Sequence, residues 1–308
     1  MATQPTLFDD ADLPDRFRTA QERYGIWPTT VWPIDHTDQK HRTLRDLVGD
    51  EGTVREGCLS DGSAKCGWNR LNSRAGSFTQ RSEDLSVYRG KVLASVFSPA
   101  LCAYILNCYA PSEGLVVDPF AGGGTRAVMA AARGLRYAGT ELREEEVAAV
   151  RERLERLGYG DTVTIHNGDA REVDRLVGTG VGDFCYTCPP YFDLETYKGG
   201  PADLSECRSY AAFCEALADV AAATYRALKP KARSCWVVGL HRDTKGTLLP
   251  LHHDTTRAHQ QTGFRLLEEV IVNHTGTGSI RRVGQFDKGD RRLVRVHEYM
   301  LVFEKEAR

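Results

Sequence analysis

Two short strings supply side chains and backbone suited to holding and transforming small molecules. The first is Asp118-Pro119-Phe120-Ala121-Gly122-Gly123-Gly124-Thr125, where an apolar Leu115-Val116-Val117 run ends in an acid and a glycine cluster. Glycines let backbone approach a ligand closely, and a helix starting there offers N–H groups without partners inside the helix. No Gly-Lys-Ser/Thr follows, so this is not a phosphate loop, and the spacing is not that of a dinucleotide fingerprint. The second string is Cys188-Pro189-Pro190-Tyr191. Two prolines fix a turn and an aromatic ring follows, a combination that suits stacking on a flat heterocycle. Between the strings stands Glu141. It lies about 20 residues past the glycines, where an acid can accept hydrogen bonds from both hydroxyls of a ribose.

These residues fall at the ends of predicted strands. Leu115–Asp118, Arg136–Glu141, Thr162–His166 and Asp183–Thr187 read as strands, alternating with helices over Thr125–Arg133 and Arg143–Leu157. Ser98-Pro99 caps and opens a helix that runs to about Tyr109. An Ala-rich helix follows over Tyr210–Leu228, stopped by Lys229-Pro230-Lys231. A strand at Ser234–Leu240, a polar helix within 245–262, and strands at Phe264–Asn273 and Glu298–Phe303 complete the chain. The alternation predicts a doubly wound α/β domain with ligands at the carboxyl ends of its strands. Near the N-terminus, Trp27, Pro28, Trp32 and Pro33 imply a packed, extended segment.

The string 118–125 resembles the cofactor loop of S-adenosylmethionine-dependent DNA methyltransferases of the amino-group type, Asp-Pro-Phe-x-Gly-x-Gly-Thr, at every fixed position. Cys188-Pro189-Pro190-Tyr191 resembles their catalytic string, in which Asp, Asn or Ser precedes Pro-Pro and an aromatic. The longer Thr187-to-Tyr197 text looks like a subgroup of phage and prophage modification methylases. The resemblance implies a Rossmann-like class I methyltransferase domain over 86–308. Its sheet would have seven strands, mostly parallel, with the last antiparallel. Residues 1–85 would be an arm that wraps the domain or reaches DNA. S-adenosylmethionine is the implied cofactor, held by Phe97, Pro99, Asp118, Pro119, Phe120, Gly122, Gly124, Thr125, Glu141, Asp169 and Ala170. For Asp169, which by family would contact the adenine, capping of the next helix is an open alternative.

On the base side the resemblance assigns Cys188, Pro189, Pro190 and Tyr191, with Asp193 and Glu195 as acid/base or positioning groups. The implied reaction is methyl transfer to a flipped-out DNA base, at the exocyclic amino group of cytosine or adenine. Cys188 departs from the pattern, and a thiol is a poor acceptor. Three readings stand: a substitute for serine, a nucleophile of a cytosine carbon-5 methyltransferase, or an inert residue in a catalytically lapsed nucleic-acid-binding module.

Composition narrows the setting. The 308 residues are 41% hydrophobic and 27% charged, ordinary for a soluble globular protein. Nothing approaches about 18 continuous apolar residues, and the first residues lack the basic and apolar regions of a signal peptide. The net charge is −2, so any nucleic-acid face must be local. The candidate is the basic segment between the last two strands, with Arg281, Arg282, Lys288, Arg291 and Arg292. Double-stranded DNA is the expected partner of a monomer or homodimer. The nine cysteines imply free thiols in a reducing, cytoplasmic setting, that of a bacterial host by resemblance. No metal is expected. Cys185-x-x-Cys188 has no second pair, and the adjacent His252 and His253 cannot both face one ion from a helix.

Overall fold

The computed structural model describes residues 30–35, 97–194, 197, 199–275, 291, 293 and 295–307. In chain order the first half holds β1 (Val31–Asp35), α1 (Pro99–Tyr109), β2 (Leu115–Asp118), α2 (Thr125–Ala132), β3 (Arg136–Glu141), α3 (Glu144–Arg156) and β4 (Val163–Asn167). There follow α4 (Val173–Val177), β5 (Gly182–Thr187), α5 (Tyr210–Ala227), β6 (Leu228–Val238) and the short β7 (His241–Arg242) and β8 (Leu248–Leu249). The last elements are α6 (Leu251–Thr262), β9 (Phe264–Thr275) and β10 (His297–Lys305).

Eight strands form one mixed sheet in the order β1-β9-β10-β6-β5-β2-β3-β4. The run from β6 through β5, β2 and β3 to β4 is parallel, and β10 enters antiparallel between β6 and β9. The expected seven strands are therefore present with the last one reversed. The correction is an eighth: β1 adds to the sheet parallel to β9. It stands at the end of the strand order among the described residues. Trp32 and Ile34 are buried while Val31 is exposed, the period-two pattern of a strand with one face on the core.

The central strands carry apolar residues on both faces because both faces are covered. Val116, Phe184, Tyr186, Val237, Met300 and Val302 pack on one side with Leu101 of α1, Ala127 of α2 and Val147 of α3. Their neighbours Val117, Cys185, Trp236, Val238, Leu301 and Phe303 pack on the other with Val173 of α4, Phe213 of α5 and Leu251 of α6. This double winding brings the carboxyl ends of β3, β2, β5 and β6 to one edge. Two boundaries differ from the sequence reading. Lys229-Pro230-Lys231 does follow the end of α5, but the chain passes straight into β6, with Lys231 at φ 66°. The polar helix is confined to α6 because His241–Arg242 and Leu248–Leu249 pair as a ribbon before it. Trp27, Pro28 and the rest of the arm 1–85 apart from 30–35 lie outside the described residues.

Candidate active site

β2 delivers Asp118 to the sheet's carboxyl edge, where the side chain is fully buried. Its Oδ1 accepts from the Phe120 N–H at 3.0 Å and the Thr187 hydroxyl at 2.6 Å. Its Oδ2 accepts from Arg126 Nε and the Tyr137 hydroxyl, both at 2.6 Å. Four donors saturate a carboxylate, so Asp118 shapes the loop and has no acceptor left for a ligand. Arg126 also donates to the Phe120 carbonyl and lies over the Phe97 ring, 5.1 Å from its centroid. Burial works against the Arg126 charge, but Asp118 and then Tyr137 outweigh it and hold the guanidinium above its usual range. Burial, then Asp118, raises the Tyr137 phenol, which stays neutral. An interior charge needs this full set of partners.

The loop above this hub is pinned by backbone. Ala121 N–H donates to the Thr140 carbonyl and the Thr140 hydroxyl to the Pro119 carbonyl. Gly122 and Gly124 sit at φ 52° and 77°, which L residues rarely adopt. Among the described residues, a side chain added at Gly122 would meet just the Phe120 carbonyl, at 3.8 Å, so they leave the loop's outer side clear. No side chain caps α2, which starts at the buried Thr125. At the end of β3, Glu141 accepts from the N–H of Arg143 at 2.9 Å. Burial raises its carboxyl above the usual range against the pull of the nearby Arg143 and Gly122 N–H groups and of the Arg143 charge. Asn167, the last residue of β4, and Gly168 just past it donate to the Glu141 carbonyl and lock the two strand ends together. Asp169 caps the turn at Ala170–Glu172 and takes the Arg171 guanidinium on both oxygens. The capping alternative is thus realised, with Arg171 at the carboxylate. Phe97 meets Tyr186 edge to face, and Pro99 opens α1 behind the Ser98 cap.

The second loop leaves β5 one strand away. Thr187, the last residue of β5, is the donor to Asp118, so one buried carboxylate joins the two loops. Tyr191 lies against the backbone of Gly239, where an added Cβ would come within 2.3 Å of Cε2 of the ring. The Tyr191 hydroxyl stands 3.2 Å from Cys188 Sγ and donates to Glu298 Oε1 at 2.9 Å. Phe192 (φ 59°) turns inward onto Tyr210 and Phe213 of α5. Asp193 pairs with His241 Nε2 at 2.6 Å.

The strand ends thus gather Phe120, Gly122, Gly124, Glu141, Cys188, Pro189, Pro190 and Tyr191 along one edge of the sheet. Glu195, Arg281, Arg282, Lys288 and Arg292 lie outside the described residues, and Arg291 is exposed. Sequence reasoning did not single out Arg126, Tyr137, Thr187, Gly239, His241, His274 or Glu298. Thr187 adjoins the second string and Arg126 the first, so their neighbourhood was a usable signal. Gly239, Glu298 and His274 arrive from other strands and had none. Among the described residues no group of three or more His, Cys, Asp and Glu side chains could hold a metal ion, and no helix is long and apolar enough to cross a membrane.

A family model described as DNA methylase matches residues 8–152, a little under half of the chain. The match takes in the glycine loop and Glu141 and ends before Asp169 and Cys188. No curated protein matches the chain. Among solved structures, TrmN from Thermus thermophilus is 20% identical over 68% of this chain, with a TM-score of 0.47. This chain spans 49% of TrmN's length. A candidate DNA modification methylase, also from Thermus thermophilus, is 26% identical over 46% of this chain and 52% of its own, with a TM-score of 0.35. The geranyl diphosphate C-methyltransferase of Streptomyces coelicolor A3(2), solved with S-adenosyl-L-homocysteine, is 14% identical over 87% of this chain and 96% of its own, with a TM-score of 0.47.

Proposed function

We propose that this protein transfers a methyl group from S-adenosylmethionine to an exocyclic amino group of a base in DNA. One observation carries the reading. The Asp118 carboxylate binds both the glycine loop, through Phe120, and the Cys188-Pro189-Pro190-Tyr191 loop, through Thr187, so the two loops form one unit. The DNA methylase family match over 8–152 points the same way.

The residues fit the cofactor. Glu141, 13% exposed at its side chain, is an acceptor suited to the neutral ribose hydroxyls. The side of Gly122 that the described residues leave clear and the uncapped start of α2 suit close approach of the ligand and a carboxylate near the helix N-terminus. Phe97, Pro99, Pro119, Phe120, Thr125 and Ala170 would line the remainder. Asp169 would reach an adenine amino group once Arg171 moves off it. When bound, the cofactor supplies an electrophilic methyl on a sulfonium. The chain's work is to hold the base: Tyr191 stacks on it, and Cys188 with the carbonyl beside it accepts from its amino group. That requires the base to leave its duplex. Glu195 and Asp193 would shape the loop, and Arg281, Arg282, Lys288, Arg291 and Arg292 would meet phosphates.

The test is transfer of a labelled methyl group from S-adenosylmethionine to duplex DNA, with RNA and free nucleosides in parallel. The reading expects label in DNA, with transfer that falls steeply with salt. Label only in RNA or in free nucleosides, or calorimetry with no uptake of the cofactor, contradicts it.

A further inference from the structure

A continuous hydrogen-bonded chain runs out of the site: Cys188, Tyr191, Glu298, His274. Cys188 Sγ is 3.2 Å from the Tyr191 oxygen, that hydroxyl is 2.9 Å from Glu298 Oε1, and Glu298 Oε2 is 2.7 Å from His274 Nε2. Glu298 is the second residue of β10 and His274 the last but one of β9, antiparallel neighbours in the sheet. Tyr191 and Glu298 are 107 positions apart in sequence and are brought together only by the fold.

The direction of this chain follows from the donor inventory. A phenol has one proton and an ionised carboxylate has none to give. Tyr191 therefore donates to Glu298, and in its contact with Cys188 it can only accept. By their ordinary constants a carboxylic acid releases its proton on the order of ten-thousand-fold more readily than a thiol. The resting state is a charged Glu298 and a protonated Cys188. Among the described residues, the titratable groups at the thiol and along the relay do not reverse this. Arg126 would favour a thiolate, but it is already paired with Asp118 at 2.6 Å. Tyr186 is held neutral, chiefly by burial. Tyr191 is kept neutral by burial, then by Cys188 and Glu298. His297, beside Glu298, is kept below the usual imidazole range by burial and then by Arg295, so it adds no charge of its own near neutral pH.

We propose that Glu298, steadied by His274, is a positioning residue that fixes the Tyr191 ring and commits Cys188 to the neutral thiol, its proton directed at the tyrosine. This deepens the methyl-transfer reading and rests on it. With its proton turned toward Tyr191, the sulfur presents lone pairs to the base amino group, as a serine oxygen would. It is not the nucleophile of a carbon-5 methylation.

The test needs no substrate. Alkylation of Cys188 by iodoacetamide is followed by peptide mass spectrometry on the full chain from pH 6 to 10, with the buried Cys102, Cys185 and Cys235 as internal controls. Glu298→Gln keeps the shape and removes the charge. It should lower the thiol's titration midpoint and speed alkylation at pH 7.5 on the order of tenfold. Tyr191→Phe takes away the acceptor of the thiol proton and should also speed it. A rate that is unchanged or slower in either folded variant overturns the assignment, since a tyrosine donating to sulfur would be slowed by its loss. Because the readout is thiol chemistry, its failure leaves the methyl-transfer reading standing, and a protein that transfers no methyl group leaves this result intact.

Discussion

The two loops at the sheet's edge are built on opposite principles. The glycine loop stands on Asp118, a fully buried carboxylate whose four bonds all go to this chain. Nothing there is free to move without leaving a charge unpaired in the interior. The Pro-Pro-Tyr loop is part-buried and held at its tip by a side-chain relay from β9 and β10. One region is anchored on a buried hub beneath it. The other is set from across the fold. Under the proposed function, a cofactor cradle can be finished before its ligand arrives, whereas a base clamp has to be held in place and remain accessible.

The sharpest way to break this contrast is Asp118→Asn. It keeps the shape and strands the Arg126 charge, at a cost of about 3–5 kcal/mol in denaturant unfolding. If Asp118→Asn is tolerated, the hub is not what holds the loops. On the other side, Gly239→Ala should destabilise less, by about 1–3 kcal/mol. Its Cβ forces the Tyr191 ring aside, and a misplacement of about 1 Å costs methyl transfer on the order of a hundredfold. Equal effects on stability from the two variants would erase the distinction. Glu141→Gln should weaken S-adenosylmethionine binding about tenfold in calorimetry, through loss of charge-assisted hydrogen bonds.

Glu141 also carries a pH dependence. Burial raises its carboxyl in the folded chain, so the stability it contributes is present below the ordinary carboxylate range. That stability is lost as pH rises through the folded value. At pH 8 the Gln variant of the cofactor-free protein should therefore melt no lower than the parent, while binding worse. Cofactor affinity of the parent should rise with pH through the same titration and be flat in the variant.

Much of this was legible in the residues. The strands around 115–118, 136–141 and 183–187 were readable because apolar runs between turn signals define buried parallel strands. The place of Glu141 at the end of β3, and of Tyr191 four residues past the end of β5, was readable from the strand pattern. Trp32 announced a packed extended segment, but β1's pairing with β9 spans most of the chain, and periodicity says nothing of partners. Asp118 was legible as important and not as saturated, since Tyr137 and Thr187 reach it from neighbouring strands. Glu298 and Gly239 carried no local signature at all. Their roles exist only once β6 pairs with β5 and β10 with β6.

The most direct measurement is mass analysis of nucleosides from duplex DNA incubated with the protein and S-adenosylmethionine, run beside Cys188→Ser. The account predicts an N-methylated cytosine or adenine, formed by the parent and still formed by the serine variant. A product of 5-methylcytosine that vanishes in Cys188→Ser, or no methylated nucleoside from the parent, contradicts it.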